Sequence, residues 1–298
     1  IKTQPNWNRS ITKRIDTTLQ GVQAFVIGRF KKLDGVYGKT TLLGQMPDWN
    51  PVEMIGRAPR ALATSLYQTL ITDNAWSRAR EYMGYTIPTG HPLMITLAGQ
   101  PFIDTRLSFH SYLPNTIPPT IAEKVVNHWL EHLKASPELH DKVEFQVAIT
   151  AFSFDIDDKI DQLIGDALTD SDKEEFKRAH LNQTRELIKE EGTGSLKKAL
   201  DKIKILNTRQ DKQYINELPP NISSLFRMVS DCIKYGTIPF SILARHGFIA
   251  KTILLSLNHL GIITKDETNQ FQSSIHTVAS DLVDDMHSVQ LGKLTNAE

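Results

Sequence analysis

The sequence predicts an α+β fold, with a small antiparallel sheet and helices in the first half and an all-helical second half. Two observations indicate this: short runs of alternating apolar residues lie before residue 154, and only helical periodicity follows it. The composition, 40% hydrophobic and 23% charged, is typical of a globular chain that buries a core. We therefore expect an α+β region at 1–154, with a hairpin near 93–109, and a helical region at 155–298.

The elements of the first half follow from apolar periodicity and turn residues. Helices have apolar side chains every third or fourth position, whereas strands alternate between apolar and polar positions. The expected elements are helices at 10–32, 61–72, 74–83 and 120–133, and strands at 40–46, 93–98, 102–109 and 143–152.

The hairpin is the clearest of these signals. Its two β-rich runs are separated by Gly99-Gln100, with glycine first, as a type II′ turn prefers. A two-residue period on the second strand places Asp104, Arg106 and Ser108 on one face. Such a face could be solvated, which is common in antiparallel sheets. Alternatively, Arg106 could present its guanidinium fork to a carboxylate or phosphate, with Asp104 and Ser108 orienting it.

The charge balance bears on the class of partner and the cysteine content on the compartment. Lys plus Arg equals Asp plus Glu, 34 each, which argues against nucleic-acid binding by bulk electrostatics. The single cysteine, Cys232, cannot form an internal disulfide, so we expect a cytoplasmic location. No run approaches the roughly 20 apolar residues of a membrane span, so no membrane partner is expected. The start at Ile1 fits a piece of a longer protein.

Gly38-Lys39-Thr40 has the final residues of a phosphate-binding P-loop. That motif needs another glycine five positions before Gly38, where this chain has Leu33, and a helix after it. The residues that follow favour a strand. An ordinary loop is the better interpretation.

Two further motifs suggest metal chemistry, each with an ordinary structural alternative. His128 and His132, with Glu131 beside them, have the spacing of a zinc hydrolase helix, but no third ligand is evident and a plain amphipathic helix is the better interpretation. Asp157, Asp158 and Asp161 have the spacing of a magnesium-diphosphate motif, with Asp281, Asp284 and Asp285 as a second acidic group. Aspartates also favour the first turn of any helix.

Arg245-His246 lies near the expected start of a helix, after Pro239. A basic pair there opposes the helix dipole unless it has an anionic partner. The partner could be a ligand or an internal carboxylate.

Several blocks resemble proteins of the phosphoenolpyruvate synthase and pyruvate, phosphate dikinase family. The longest is at 44–56 (GQMPDWNPVEMIG), and together the blocks extend over about residues 37–286. The others are at 63–67 (ATSLY), 70–73 (LITD), 98–109 (AGQPFIDTRLSF), 137–145 (PELHDKVEF), 244–250 (ARHGFIA) and 274–279 (SIHTVA).

The resemblance implies a central region of an ATP-dependent phosphotransferase. In that family an ATP-grasp region phosphorylates a histidine on a mobile domain, which carries the phosphoryl group to an acceptor. Neither the ATP-grasp region nor the phosphohistidine segment is recognisable here. The resemblance therefore implies that both domains are partners within the same parent chain, and that ATP and Mg²⁺ serve the parent, with no cofactor in this chain.

The family blocks also select candidate residues for binding a small anionic substrate. They are Asp104, Arg106, Ser108, Asp48, Asn50, Glu53, Arg245 and His246. Asp48 and Asn50 could instead shape a turn through side-chain to backbone hydrogen bonds. Two other functions stay open: a stand-alone binding or scaffold module without enzymatic activity, and a zinc hydrolase built on His128 and His132.

Overall fold

The computed structural model describes residues 6–189, 194–216, 222–275 and 278–291. It is 68% helical with one three-stranded antiparallel sheet, which confirms the α+β class with helices dominating. The α-helices are α1 (Asn6–Arg29), α2 (Pro51–Ile55), α3 (Ala61–Tyr67), α4 (Ala75–Tyr82), α5 (Thr105–His110), α6 (Pro119–Ala135), α7 (Val143–Gln146), α8 (Ile156–Leu163), α9 (Asp170–Ile188), α10 (Ser195–Asn216), α11 (Ile222–Asp231), α12 (Ile238–His259), α13 (Lys265–Ser273) and α14 (Val278–Gln290).

The sheet has the order β1-β3-β2, from β1 (Leu43–Gly44), β2 (Met94–Leu97) and β3 (Gln100–Asp104). Strands β2 and β3 form the expected hairpin. Its loop is Ala98-Gly99 rather than Gly99-Gln100, and both residues have positive φ, 50° and 77°. Positive φ at both central positions defines a type I′ turn, so the predicted type II′ turn was wrong by one residue.

The second hairpin strand ends much earlier than the sequence predicts. At Thr105 the chain turns into α5, so Arg106 and Ser108 lie on a short helix and not on a strand face. Every residue of α5 is buried. Because both sides of the segment are covered by protein, its apolar alternation does not mark a half-exposed strand, and a short apolar run fits either structure.

The predicted strand at 143–152 was also wrong. The chain forms α7 and then continues without regular structure. Five consecutive residues after α7 are buried, from Val147 to Ala151. An irregular segment enclosed on all sides carries apolar residues wherever it meets the core, and this pattern imitates a strand.

The larger core is centred on Trp129 of α6. Its ring makes edge-to-face contacts with Phe109 of α5 at 5.7 Å and with Phe176 of α9 at 6.5 Å between ring centroids. All three side chains are fully buried. Edge-to-face aromatic pairs contribute about 0.5–1.5 kcal/mol each beyond their buried area. A second buried cluster includes Trp76 of α4, Met94 of β2 and Ile103 of β3.

Two histidines are buried among the residues that the structure describes. The His180 ring packs at a tilt of 39° against Phe176, with 4.2 Å between ring centroids, and its Nδ1 lies 3.0 Å from the Phe176 carbonyl oxygen. His110 accepts a hydrogen bond from the Tyr37 N–H at 3.0 Å and stacks on the Tyr37 ring. Burial lowers the pKa of each imidazole to about 4. Both are therefore neutral in the folded protein at pH 7.

We expect the free energy of unfolding to fall as the pH is lowered from 6.5 to 4. Each histidine is protonated near pH 6.5 in the unfolded chain, but only near pH 4 in the folded chain. Each histidine therefore lowers the free energy of unfolding by about 2 kcal/mol between pH 7 and pH 5. Urea unfolding at the two pH values measures this. H180F should remove about half of the loss, and H287Q, at an exposed histidine, is the control. An equal free energy at both pH values would contradict the expectation.

The chain forms two compact units. One comprises Ile1–Phe152 and Ile156–Thr252, and the other comprises Ser153–Asp155 and Ile253–Glu298. The sheet, both core clusters and the candidate site below all belong to the first unit.

One helical stretch in the described part of the chain could cross a membrane by length and composition. It is Ile222–His259, 38 residues, in which α11 continues through a π-helical turn into α12. By length and composition, this stretch contradicts the expectation that no run approaches the roughly 20 apolar residues of a membrane span. Core helices of soluble proteins meet the same criterion, so the finding assigns no location. Cytoplasmic location and the absence of a membrane partner stay predictions.

Candidate functional site

A strained turn precedes α2. Three consecutive residues that are not glycine have positive φ: Asp48 at 50°, Trp49 at 56° and Asn50 at 28°. Each such residue costs of order 1–3 kcal/mol and persists only when its surroundings hold it. The Asn50 side chain accepts a hydrogen bond from the Glu53 N–H at 3.3 Å and caps α2, and the Tyr67 hydroxyl donates to the Trp49 carbonyl. The turn directs Asp48 into the protein, where its side chain is 5% exposed.

Asp48 meets Arg80 of α4. Arg80 Nη2 donates to both carboxylate oxygens of Asp48, at 3.1 and 3.2 Å. The Arg80 side chain is 4% exposed. A buried ion pair of this kind needs further partners to offset the loss of hydration.

A second ion pair lies beside the first. Arg245 of α12 donates from Nη2 to Glu144 of α7 at 2.7 Å, and Arg80 Nη2 lies 3.8 Å from the same carboxylate oxygen of Glu144. We call Asp48, Arg80, Glu144 and Arg245 the arginine–carboxylate cluster. Four segments that are distant in the sequence supply one charged side chain each.

Aromatic rings enclose the two guanidinium groups. The central carbons of Arg80 and Arg245 lie 4.9 and 5.2 Å from the centroid of the Tyr112 ring. Both also lie within 6 Å of the Tyr85 ring, and Arg245 lies 5.3 Å from the Phe248 ring. Cation–π contacts of desolvated arginines contribute about 2 kcal/mol. The rings keep the arginines in place and exclude water from them.

Several donors of the cluster have no acceptor among the residues that the structure describes. They are Arg80 Nη1, Arg245 Nε, Arg245 Nη1 and the Tyr112 hydroxyl, all shielded from solvent. Leaving a buried polar group without a partner costs about 1–3 kcal/mol, and more for a charged one. The cluster therefore has an excess of donors over acceptors among the described residues.

Burial and charge shift the pKa values of the cluster in defined directions. Burial raises the pKa of Asp48, Arg80 opposes this, and Glu144 adds to it. Burial acts to lower the pKa of Arg245, but Glu144 and the neighbouring phenols raise it overall. Burial also raises the pKa of Tyr112. Arg245 is thus held as a cation, whereas burial favours the protonated form of Asp48.

The structure brings some of the sequence-predicted residues together at the arginine–carboxylate cluster. Asp48 and Arg245 belong to the cluster, and the Ser108 hydroxyl acts to lower the pKa of Asp48. Asn50 caps α2 from the strained turn, and Glu53 is exposed. His246 faces another direction, since its Nε2 lies 2.8 Å from Ser195 Oγ.

Asp104 and Arg106 form a separate buried network. Arg106 donates from Nη1 to the Lys31 carbonyl at 2.8 Å and from Nη2 to the Arg29 carbonyl at 3.0 Å, where α1 ends. Asp104 binds Arg29 Nε at 2.5 Å and also receives Nη2 of Arg106 at 3.4 Å. Both terminal nitrogens of Arg106 are thus occupied within the protein. The strand-face fork expected from the sequence is absent, because the side chain caps a helix.

Four residues of the site were not predicted from the sequence: Arg80, Glu144, Tyr85 and Tyr112. Glu144 lies inside the block at 137–145, so the resemblance was a signal for it. Arg80 follows from no local pattern, since its partners are 32 and 64 residues away along the chain. Pairing of this kind depends on tertiary structure.

The remaining motifs have structural roles. Residues 38–40 lie in bends with no helix after them; Gly38 N–H donates to Glu123 at 3.1 Å and Lys39 N–H to Asn127 at 2.8 Å. Asp157 and Asp161 pair with Lys177 and Lys173 of α9.

Candidate metal ligands do not cluster in the described part of the chain. Within it, no group of three or more His, Cys, Asp or Glu side chains is arranged to hold a metal ion. The His128 and His132 side chains on α6 therefore have no third ligand there.

No protein-family model matches the sequence, and neither does a curated protein or a solved structure. The resemblance of the blocks to phosphoenolpyruvate synthase-like proteins therefore stays a prediction. The geometry of the cluster stands independently of it.

Proposed function

We propose that the arginine–carboxylate cluster binds a small anion that carries a carboxylate or phosphate group. In this proposal the chain is the acceptor-binding central region of a phosphoenolpyruvate synthase-like phosphotransferase and is not catalytically complete alone. ATP and Mg²⁺ would act elsewhere in the parent protein, on its ATP-grasp and phosphohistidine domains.

The convergence of separate family-like blocks on one place carries this proposal. Asp48 comes from the block at 44–56, Ser108 from 98–109, Glu144 from 137–145 and Arg245 from 244–250. The four blocks lie far apart in the sequence. Asp48, Glu144 and Arg245 nevertheless meet around Arg80, and Ser108 acts on Asp48. The packing of a core does not require charged residues from separate blocks to meet, whereas an anion site does.

The chemistry of the cluster suits an anion. Arginine presents several donors in one plane and binds carboxylate or phosphate with two parallel hydrogen bonds. Arg80 Nη1 and Arg245 Nη1 supply unpaired donors, and Tyr112 adds a hydroxyl. An entering anion competes with Asp48 for Arg80. Protonation of Asp48, which its raised pKa favours, weakens that competition.

In this proposal, movement of the strained turn exposes the buried donors to the anion. Residues 48–50 hold an unfavourable backbone conformation while Asp48 pairs with Arg80. When an anion replaces Asp48, the turn can relax and the cost of displacing the ion pair is partly offset. Binding is therefore coupled to movement of this turn.

Calorimetric titration with phosphoenolpyruvate, pyruvate and inorganic phosphate tests the proposal. We expect at least one of them to bind and to raise the melting temperature, because a ligand that binds only the folded state stabilises it. Arg245→Lys should weaken that binding by about tenfold or more, since lysine keeps the charge but loses the planar set of donors. Arg57→Lys, at an exposed arginine, should bind like the unaltered protein.

A second function, docking of a neighbouring domain, has its own observation. Ile222 and Phe226 on α11 are 75% and 69% exposed, and the apolar residues of α1 are also largely exposed. If all three anions leave the melting temperature unchanged, the anion-binding proposal fails and this scaffold function becomes the better explanation.

A further inference from the structure

Helix α1 has an apolar face that the described chain leaves exposed. Its large apolar side chains recur at steps of three and four residues, so they form one stripe along the helix. The side chains of this stripe are between 39% and 61% exposed: Ile11, Ile15, Leu19, Val22 and Phe25. Every residue from 10 to 25 is exposed, so the stripe is available to another surface.

The composition of α1 favours a covered stripe. Helices in proteins are stabilised mainly by the packing of an apolar face. Thr12, Thr17, Thr18 and Gly21 have low helix propensity and add little to the stability of the helix itself. Contact with an apolar surface would therefore stabilise α1.

A groove lies beside the second half of the stripe. It has a volume of about 320 Å³ and is formed between α1 and the edge strand β2. Its lining comprises Thr18, Gly21, Val22, Phe25, Thr96 and Leu97. The groove is thus partly apolar and can receive apolar side chains from outside the chain.

The stripe is symmetric about its middle. Ile15 and Val22 lie equally far from the point between residues 18 and 19, and so do Ile11 and Val26. When two copies of α1 pack antiparallel about this point, Ile15 of one copy faces Val22 of the other, and Ile11 faces Val26. The first half of each stripe then enters the groove beside the second half of the other.

The charges of α1 favour the antiparallel direction. In the pair described above, Lys13 of one copy faces Ala24 of the other, and Arg14 faces Gln23. Each of these cations meets an uncharged residue, whereas in a parallel pair it would face its own counterpart and be repelled. The basic first half of one helix also lies towards the C-terminal end of the other, where the helix dipole is negative.

We propose that the stripe is covered by α1 of a second copy of this chain, in an antiparallel pair with two-fold symmetry. Interfaces of this symmetry are the commonest in homo-oligomers. A single helix pair lies at the small end of specific interfaces, about 1,200 Å² in total, so the dimer dissociates in the micromolar range. This interface is separate from the arginine–carboxylate cluster.

Sedimentation equilibrium of the full chain over a range of concentrations tests the proposal. We expect the mass to rise from the 33.7 kDa of one chain to twice that value. The double variant I15Q/L19Q should raise the Kd of the dimer at least tenfold. Ile27→Gln is the matched control, since Ile27 is 51% exposed on the same helix but lies outside the stripe, and its Kd should stay within twofold. Arg245→Lys should form dimers like the unaltered protein, which separates this proposal from anion binding.

Cysteine cross-linking tests the direction of the pair. Ile15→Cys and Val22→Cys are made separately in a chain that also carries Cys232→Ser. Two copies of the same cysteine are about 10 Å apart along an antiparallel pair, too far for a disulfide. We therefore expect cross-linked dimers only when the two proteins are mixed.

Three outcomes would overturn the proposal. The first is a mass that stays at 33.7 kDa at every concentration, and the second is a double variant I15Q/L19Q that forms dimers like the unaltered protein. The third is cross-linking of each cysteine protein with itself. If the chain stays monomeric but binds vesicles of phosphatidylserine and phosphatidylcholine, and I15Q/L19Q does not, a membrane surface covers the stripe instead.

Discussion

We expect the replacement of Arg106 by methionine to destabilise the fold by about 3–5 kcal/mol, because it breaks a fully buried charged network. Arg106 is 0% exposed and bonds two carbonyl groups near the end of α1 as well as Asp104. Methionine matches the apolar stem of the side chain but donates no hydrogen bond. The carbonyls of Arg29 and Lys31 would then lose their donors. Urea unfolding at pH 7 measures the change.

A nearby exposed pair is the matched control. Lys32 lies 2.5 Å from Glu123, and their side chains are 49% and 28% exposed. Such pairs typically contribute about 0–1 kcal/mol, so Lys32→Met should cost no more than that. Equal effects of the two substitutions would show that Arg106 is not held as the structure describes. If the Arg106→Met protein is stable but no longer binds the anion, then Arg106 binds the anion, as the sequence suggested.

Arg106 also shows what local patterns can and cannot predict. The pairing of β2 with β3 was predictable, because a turn signal between two β-rich runs is a local property. The end of β3 at Asp104 was not predictable from the sequence. The residues that follow it are buried on every side, so their apolar periodicity no longer distinguishes a buried face from an exposed one. The same physical cause explains the predicted strand at 143–152.

The candidate site likewise contains some residues that the sequence selects and others that it does not. Asp48 and Arg245 could be selected from the sequence, each by the resemblance of its block. The expectation that Arg245 lies near the start of a helix was wrong, since it lies within α12, which begins at Ile238 and continues from α11. Arg80 could not be selected, since nothing near it in the sequence requires a partner. Its role arises only where α4 packs near the turn that carries Asp48.

A second large effect is expected at the pair of Glu144 and Arg245. We expect Glu144→Leu to cost about 3–5 kcal/mol, because the substitution leaves Arg245, 2% exposed, as a buried cation without its carboxylate. Arg80 retains Asp48 and is affected less. Arg245→Met alone should cost less than Glu144→Leu, since Glu144 keeps Arg80 within 3.8 Å.

The double variant Glu144→Leu/Arg245→Met makes this argument quantitative. Replacing a buried pair by apolar residues of similar size is often neutral, so the double variant should be more stable than Glu144→Leu alone. The double-mutant cycle should give a coupling free energy of about 2 kcal/mol or more. The cycle on Lys197 and Asp201, an exposed pair at 3.0 Å, should give less than about 1 kcal/mol. Additive effects at Glu144 and Arg245 would contradict the pairing.

The same double variant separates folding from binding. If it folds, it lacks the guanidinium group that the proposed anion site requires, yet it contains no uncompensated buried charge. Titration with the anions should then show no binding to a protein whose unfolding transition stays cooperative. If the anion that stabilises the unaltered protein also stabilises the double variant equally, the anion does not bind at Arg245, and the convergence of the four blocks reflects the packing of the core alone.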